Sequence, residues 1–371
     1  MKRSGLIAAV VGLSLVLSAA AQDRGAFEGR WLLDFERQDP DRVQLTLRRT
    51  AGSGHWSSSS SYPLTALAGL ARPAGAQEVP ARFEIARDAG RVAFEGNLDY
   101  SGGSGRFQFT ANPDFVAYLK GLGYASPSQE QLFAMTVHDV GRQFLAGLAE
   151  LGYQRVPLDD LVSMGIHGAT PDYIRQLKAL GYEKIPADDL ISLRIHGATP
   201  EFIRDLKSLG YDRLSADNLV SLRIHGASPD LIRELKSLGY DHLSVDDLVS
   251  LRIHGATPEF IRGLKTLGYP HLSADELVSM RIHGVSEDFI RALQALGYSK
   301  ISADDLVSMK IHGVSPEFAR DIQSLGYSSV PVDQLVSLRI HGVSVDFARR
   351  VRQSDPGATI DDVVERKIHG R

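Results

Sequence analysis

Histidine recurs along this chain with a regularity that invites a chemical reading. His138, His167, His196, His225, His254, His283, His312 and His341 stand 29 residues apart, and His369 follows 28 later. All but the first precede a glycine. An imidazole can ligate a metal, carry a proton or cap a helix, and the spacing discriminates among these. Stacked helical repeats hold equivalent atoms about 9–10 Å apart. Two imidazoles on one zinc need metal–nitrogen distances of about 2.0–2.1 Å, so neighbouring repeats share no metal unless their side chains converge sharply. Each histidine closes a predicted helix, where an imidazole N–H can bond the last carbonyls and a protonated ring gains from the dipole. The expected role is capping and packing.

Two further residue types keep the same period. Asp159, Asp188, Asp217, Asp246, Asp275, Asp304 and Asp333 recur near the start of one helix, and Arg175, Arg204, Arg233, Arg262, Arg291, Arg320 and Arg349 recur in another. An acid in a first turn favours the dipole, and an arginine on a neighbouring helix can pair with it. That predicts an inter-repeat interface. The alternative is an exposed arginine row contacting an acidic, periodic ligand such as an envelope polymer.

The elements that position these residues are short helices. In the unit from Ser215 to Tyr240, Ser215 is an N-cap for a helix over Ala216 to Ile224, which Gly226 ends in the left-handed conformation. Ser228 and Pro229 open a second helix that runs to Leu238, and Gly239 with Tyr240 closes it. Leu219, Val220, Leu222 and Ile224 form one apolar stripe, and Leu231, Ile232, Leu235 and Leu238 the other. Helices of about ten residues do not persist alone in water, so stacking must hold them. The array begins with a lone second helix at Asn112 to Tyr124 and ends with a lone first helix at Thr359 to His369, after an aberrant stretch from Arg352 to Ala358. Eighteen short helices are expected.

Before Asn112 the period is two. Strands are predicted at Arg30 to Phe35, Val43 to Arg48, His55 to Tyr62, Arg82 to Ala86, and in VAFEGNLDY and RFQF. Val92, Phe94, Leu98 and Tyr100 fall on one side, and the SGGSG of Ser101 to Gly105 reads as a hairpin turn. Its strand–turn–strand setting is not that of a phosphate loop. Ser57 to Ser61 is a polar strand or loop, and Trp31 and Trp56 read as core aromatics.

The first residues place Lys2 and Arg3 ahead of an apolar run from Leu6 to Leu17, with Ala19 and Ala21 in an A-x-A arrangement. This is the pattern of a secretory signal peptide cleaved near Ala21. Removing it takes the net charge from -4 to -6, which offers no basic footprint for nucleic acid. With no cysteine there is no disulfide. The H-E-x-x-H and G-x-S-x-G patterns and a thiol nucleophile are all lacking, and paired acids such as Asp188 and Asp189 suit helix starts better than acid–base work.

The stretch LISLRIHGATPEFIRDLKSLGY, Leu190 to Tyr211, and FEGNLDYSGGSGRFQFTANPDFVAYLKGLGY, Phe94 to Tyr124, resemble the C-terminal extracytoplasmic repeat regions of bacterial membrane metallopeptidases of the beta-lactam-sensor type, and stand-alone secreted proteins built from such repeats. The resemblance covers nearly all of the mature chain. It implies domain type and location rather than chemistry, because the zinc motif and membrane helices of those peptidases do not occur in this sequence.

The sequence therefore predicts an α+β multi-domain protein: a signal peptide over 1–21, a small antiparallel β-domain over 22–111, and an α-solenoid of 29-residue two-helix repeats over 112–371. The expected function is a periplasmic or secreted, non-enzymatic interaction scaffold. It needs no cofactor or metal, inserts into no membrane after cleavage, and takes another envelope or secreted protein as its partner. Envelope-polymer binding through the arginine row is the alternative.

Overall fold

A computed structural model describes residues 27–36, 38–51, 54–327 and 330–370, so the leader over 1–21 lies outside the described residues. Six antiparallel strands come first: β1 (Phe27–Phe35), β2 (Arg42–Ala51), β3 (Gly54–Pro63), β4 (Val79–Arg87), β5 (Gly90–Leu98) and β6 (Gly102–Ala111). Their order in the sheet is β3-β2-β1-β6-β5-β4, two three-stranded meanders joined by the β1–β6 pair. Eighteen short α-helices follow in a repeating arrangement, α1 (Pro113–Gly121) to α18 (Ile360–Ile368). The fold is α+β with a helical repeat region. Its residues fall into two compact units, one ending at Arg204 and the other beginning at Asp205.

In the first unit, alternation decides which face of the sheet is buried. Trp31 and Leu33 of β1, Val43, Leu45 and Leu47 of β2, Phe83 and Ile85 of β4, Val92 and Phe94 of β5, and Phe107 and Phe109 of β6 all point to one side. The serine run is the edge strand β3, paired along its length with β2. The outer edge of β4 is partly closed by the connector, where Ala68 and Glu84 exchange two backbone hydrogen bonds of 2.9 Å. The turn between β5 and β6 falls earlier than expected. Asp99 accepts hydrogen bonds from the backbone N–H groups of Ser101 and Gly102, so the reversal occupies Asp99 to Ser101 and leaves Tyr100 half exposed rather than in the core.

The glycines read as turn residues are strand residues, and the reason is crowding. Gly96 and Gly105 face each other across β5 and β6, and the Trp31 indole lies over both. A Cβ on Gly105 would fall 2.0 Å from the Glu95 carbonyl oxygen and 2.7 Å from the Trp31 indole nitrogen. Glycine is what lets the indole lie flat and donate its N–H to the Glu95 carbonyl at 3.2 Å.

The helix that covers this sheet is α2 (Gln129–Val137), a first-type helix that packs on β4, β5 and β6. Ser128 and Gln131 form a capping box at its start. Phe133 then enters an aromatic cluster, stacked on Phe107 at 5.4 Å between ring centroids and edge-on to Phe109 and Trp56. Helix α1 is tied to the sheet by its cap: the Asn112 side chain donates to the Asp88 carbonyl and accepts from the Asp114 N–H.

In the second unit the repeat takes the predicted two-helix form. First helices α8 (Ala216–Ile224), α10 (Val245–Ile253), α12 (Ala274–Ile282), α14 (Ala303–Ile311), α16 (Val332–Ile340) and α18 stack on one another, and α9 (Pro229–Ser237), α11 (Pro258–Thr266), α13 (Glu287–Ala295), α15 (Pro316–Ser324) and α17 (Val345–Ser354) stack likewise. Serine or threonine caps every one of these helices except α16, whose N-cap is Pro331. Gly226 adopts φ +68° and Gly239 φ +90°, the left-handed values a β-branched side chain resists. No helix among the described residues is long and apolar enough to cross a membrane.

Truncating Phe133 tests the join between sheet and helices. Phe133→Ala removes a ring 3% exposed and is expected to cost about 3–5 kcal/mol, read as a lowered denaturant midpoint for the first unit.

Candidate functional site

The repeated residues divide into those that join repeats and those that face outward. Three kinds of hydrogen bond recur between successive repeats, and none of them uses the side chains of the rows singled out from the sequence. The first comes from the tyrosine that ends each LGY triplet. In the first unit the Tyr153 hydroxyl donates to the Ile185 carbonyl at 2.7 Å. In the second, Tyr211, Tyr240, Tyr269 and Tyr298 donate to the carbonyls of Leu243, Leu272, Ile301 and Val330 at 2.7–2.9 Å, each 32 residues on. Burial raises the pKa of all five hydroxyls, so they remain protonated donors.

The second joins the first helices. Arg194 donates to the His167 carbonyl at 3.2 Å and lies 5.0 Å from the centre of the Tyr173 ring. In the second unit Arg252 donates to the His225 carbonyl at 3.4 Å, and Arg281, Lys310 and Arg339 lie 4.9–5.0 Å from the rings of Phe260, Phe289 and Phe318. A cation over an aromatic face with its N–H on a helix-end carbonyl combines two attractive contacts. The third joins the second helices: Lys265, Gln294 and Gln323 donate to the C-cap carbonyls of Leu238, Leu267 and Leu296.

The histidines therefore take part through their backbone. His225 is the C-cap residue, its N–H bonds the Ser221 carbonyl, and its own carbonyl is closed by an arginine of the next repeat instead of by its imidazole. His254, His283, His312 and His341 are exposed at the surface. His138 differs: it is half-buried against Gly165 of the next first helix, and desolvation, with a smaller effect of His167, lowers its pKa to about 4. No group of three or more His, Asp or Glu suited to a metal occurs among the described residues.

The arginine row takes a different partner from the one expected. In the first unit Arg175 pairs with Asp172 of its own helix at 2.5 Å and with Glu150 at 3.6 Å. In the second, Arg233 and Arg349 pair with Asp230 and Asp346, Arg262 with Glu259 and Glu234, and Arg291 with Glu287 and Asp288. The remaining two, Arg204 and Arg320, have acids three positions earlier, Glu201 and Glu317, whose pKa values are lowered mainly by N-terminal hydrogen bonds and to a lesser degree by these arginines. The first turn of each second helix carries an acid at i−3, within reach of the arginine, and Arg175 and Arg262 also reach an acid of the preceding repeat. Of the aspartate row, Asp159 accepts from Gln131 of the preceding first helix at 2.7 Å, and in the last repeat Asp361 accepts from Gln334 at 3.3 Å.

One outward row was missed. Ile224, expected in the buried stripe, is 57% exposed, and Ile253, Ile282, Ile311, Ile340 and Ile368 are 55–56% exposed, with Ile166 and Ile195 also outward in the first unit. Leu219 and Leu222 alone carry the buried face of α8, together with the half-buried Val220. A nine-residue helix places its last residue beyond the contact with its neighbour. The signal was available: leucine and methionine exchange at the buried Leu222 position, whereas isoleucine holds at its own position from Ile166 to Ile368, only the first of these helices, α2, having the buried Val137 there instead.

No protein-family model matches this chain, and no curated protein is similar to it in sequence.

The last repeat provides an internal control for the tyrosine bond. The 28-residue interval puts Arg352 on the Ala358 carbonyl at 2.9 Å, in the place a tyrosine takes elsewhere, and the buried Tyr327 hydroxyl has no hydrogen-bond partner among the described residues. Tyr240→Phe should cost about 0.5–1.5 kcal/mol in chemical denaturation, whereas Tyr327→Phe should cost nothing or stabilise. His138 supplies a pH test. Its folded pKa lies below the unfolded value of about 6.5, so its contribution is complete above that pH and is lost as pH falls toward 4. His138→Gln should flatten the stability profile of the chain across that window.

Proposed function

We propose that this protein is a non-enzymatic extracytoplasmic scaffold whose helical repeats bind another envelope or secreted protein. The observation that carries the reading is the isoleucine row. Monomeric surfaces scatter single apolar residues, but a β-branched side chain more than half exposed at the same place in six successive repeats forms a periodic apolar contact surface. Helix propensity does not ask for isoleucine at a last turn, where lysine and arginine suit the dipole better. Stacked repeats of this kind present extended surfaces as a consequence of their geometry. The leader pattern, the lack of cysteine and the resemblance of the repeats support a site of action in the periplasm or outside the cell.

Envelope-polymer binding through Arg175, Arg204, Arg233, Arg262, Arg291, Arg320 and Arg349 has less support, because acids of the same helices pair with most of these guanidiniums and adjoin the others. Salt separates the two readings, since a polyanion contact weakens steeply with ionic strength and an apolar interface does not.

Affinity capture from the native envelope should recover one protein with the wild-type chain, resistant to raised salt, and lose it with the triple variant Ile253→Ser, Ile282→Ser, Ile311→Ser at unchanged helicity. Equal recovery by that variant would remove the isoleucine row from the interface.

A further inference from the structure

The outer face of the β-sheet carries an arrangement that its own side chains leave unbalanced. Arg30 of β1 is the direct cross-strand partner of Arg48 in β2 on one side and of Arg106 in β6 on the other. Their chain neighbours Trp31, Leu47 and Phe107 point into the aromatic core, so the three arginines project together from the opposite face, where all three are exposed. Adjacent strands lie about 4.7–4.9 Å apart, which sets the spacing of the three side chains. Like charges directly opposite one another destabilise a sheet, and here the central arginine has one on each side.

No acid is paired with them among the described residues. None of the three forms an ion pair, hydrogen bond or ring contact among the described residues. Glu95, opposite Arg106 on β5, is held by Arg82 at 3.3 Å. Glu28 and Asp34 share this face of β1, two and four residues from Arg30, and form no ion pair with the row. Beyond Arg48 the same line of the sheet continues to Ser57 on β3, a hydroxyl that can donate. The repeat arginines, by contrast, lie beside acids of their own helices.

We propose that Arg30, Arg48 and Arg106 form a binding site for a phosphate-class oxyanion. Guanidinium forks match the oxygens of such a group bidentately, and a bound dianion would turn three mutual repulsions into attractions. A soluble phosphate ester and an anionic lipid headgroup offer the same chemistry, so two probes are needed: inorganic pyrophosphate, and vesicles of phosphatidylglycerol in phosphatidylcholine against phosphatidylcholine alone.

The test uses the full chain, with Arg30→Gln and Arg106→Gln as variants and Arg233→Gln as the repeat-row control. Calorimetry with pyrophosphate should show binding weakened about tenfold by each sheet variant and unchanged by the control, as expected for loss of one charge-assisted pair. Arg30-dependent binding to the phosphatidylglycerol vesicles without pyrophosphate binding would support the site and assign its oxyanion to a headgroup. Binding of neither probe, or equal loss with Arg233→Gln, would overturn it. All the substituted residues are exposed, and unchanged circular dichroism confirms that a loss is not unfolding.

Discussion

A nine-residue helix leaves four N–H groups at its start and four carbonyls at its end without a partner inside the helix, nearly as many groups as it satisfies. A chain made of eighteen such helices has to close those ends repeatedly, and the repeat is arranged around that constraint. Serine, threonine and asparagine close most of the starts from within the unit. The far ends are closed by left-handed glycines and by side chains that reach back from the next repeat, arginine to the histidine carbonyl and lysine or glutamine to the leucine carbonyl, while tyrosine reaches forward to the connector carbonyl just before a first-helix cap. Each repeat is therefore incomplete without its successor, which is why the period holds so strictly.

This division of labour explains which repeated residues stay constant for structure. Tyrosine and the arginine of LRIHG join layers, and their constancy requires no ligand. The histidine is constant where its backbone turns into the glycine cap, yet its ring faces outward in most of the second unit. The isoleucine is the exception, because neither a hydrogen bond nor burial accounts for it. It is the residue through which packing inside the repeats leads to a surface that favours apolar contact outside them.

The sheet solves a different problem. Its inner face is crowded with large rings, and glycine pairs beneath Trp31 make room for them. Phe133 of α2 fills the remaining space, so the first unit has one core to which both sheet and helix contribute. The outer face is exposed among the described residues and holds the arginines that alternation puts opposite one another.

Local chemistry was legible in the sequence by itself: the period of two and its six strands, the 29-residue period, the caps at Ser215 and Ser228, the left-handed glycines, and the number of helices. These depend on side-chain alternation and on backbone preferences of single residues, which act over a few positions. Only the tertiary structure decided who meets whom. Arg175 and its equivalents turn to acids in their own helices, Ile224 ends on the outside, Gly102 and Gly105 belong to a strand, and the tyrosines reach 32 residues ahead. Periodicity states that equivalent residues recur, but not how one layer is rotated against the next. That rotation depends on the summed packing of the layers, and with it which of two equally periodic residues is buried.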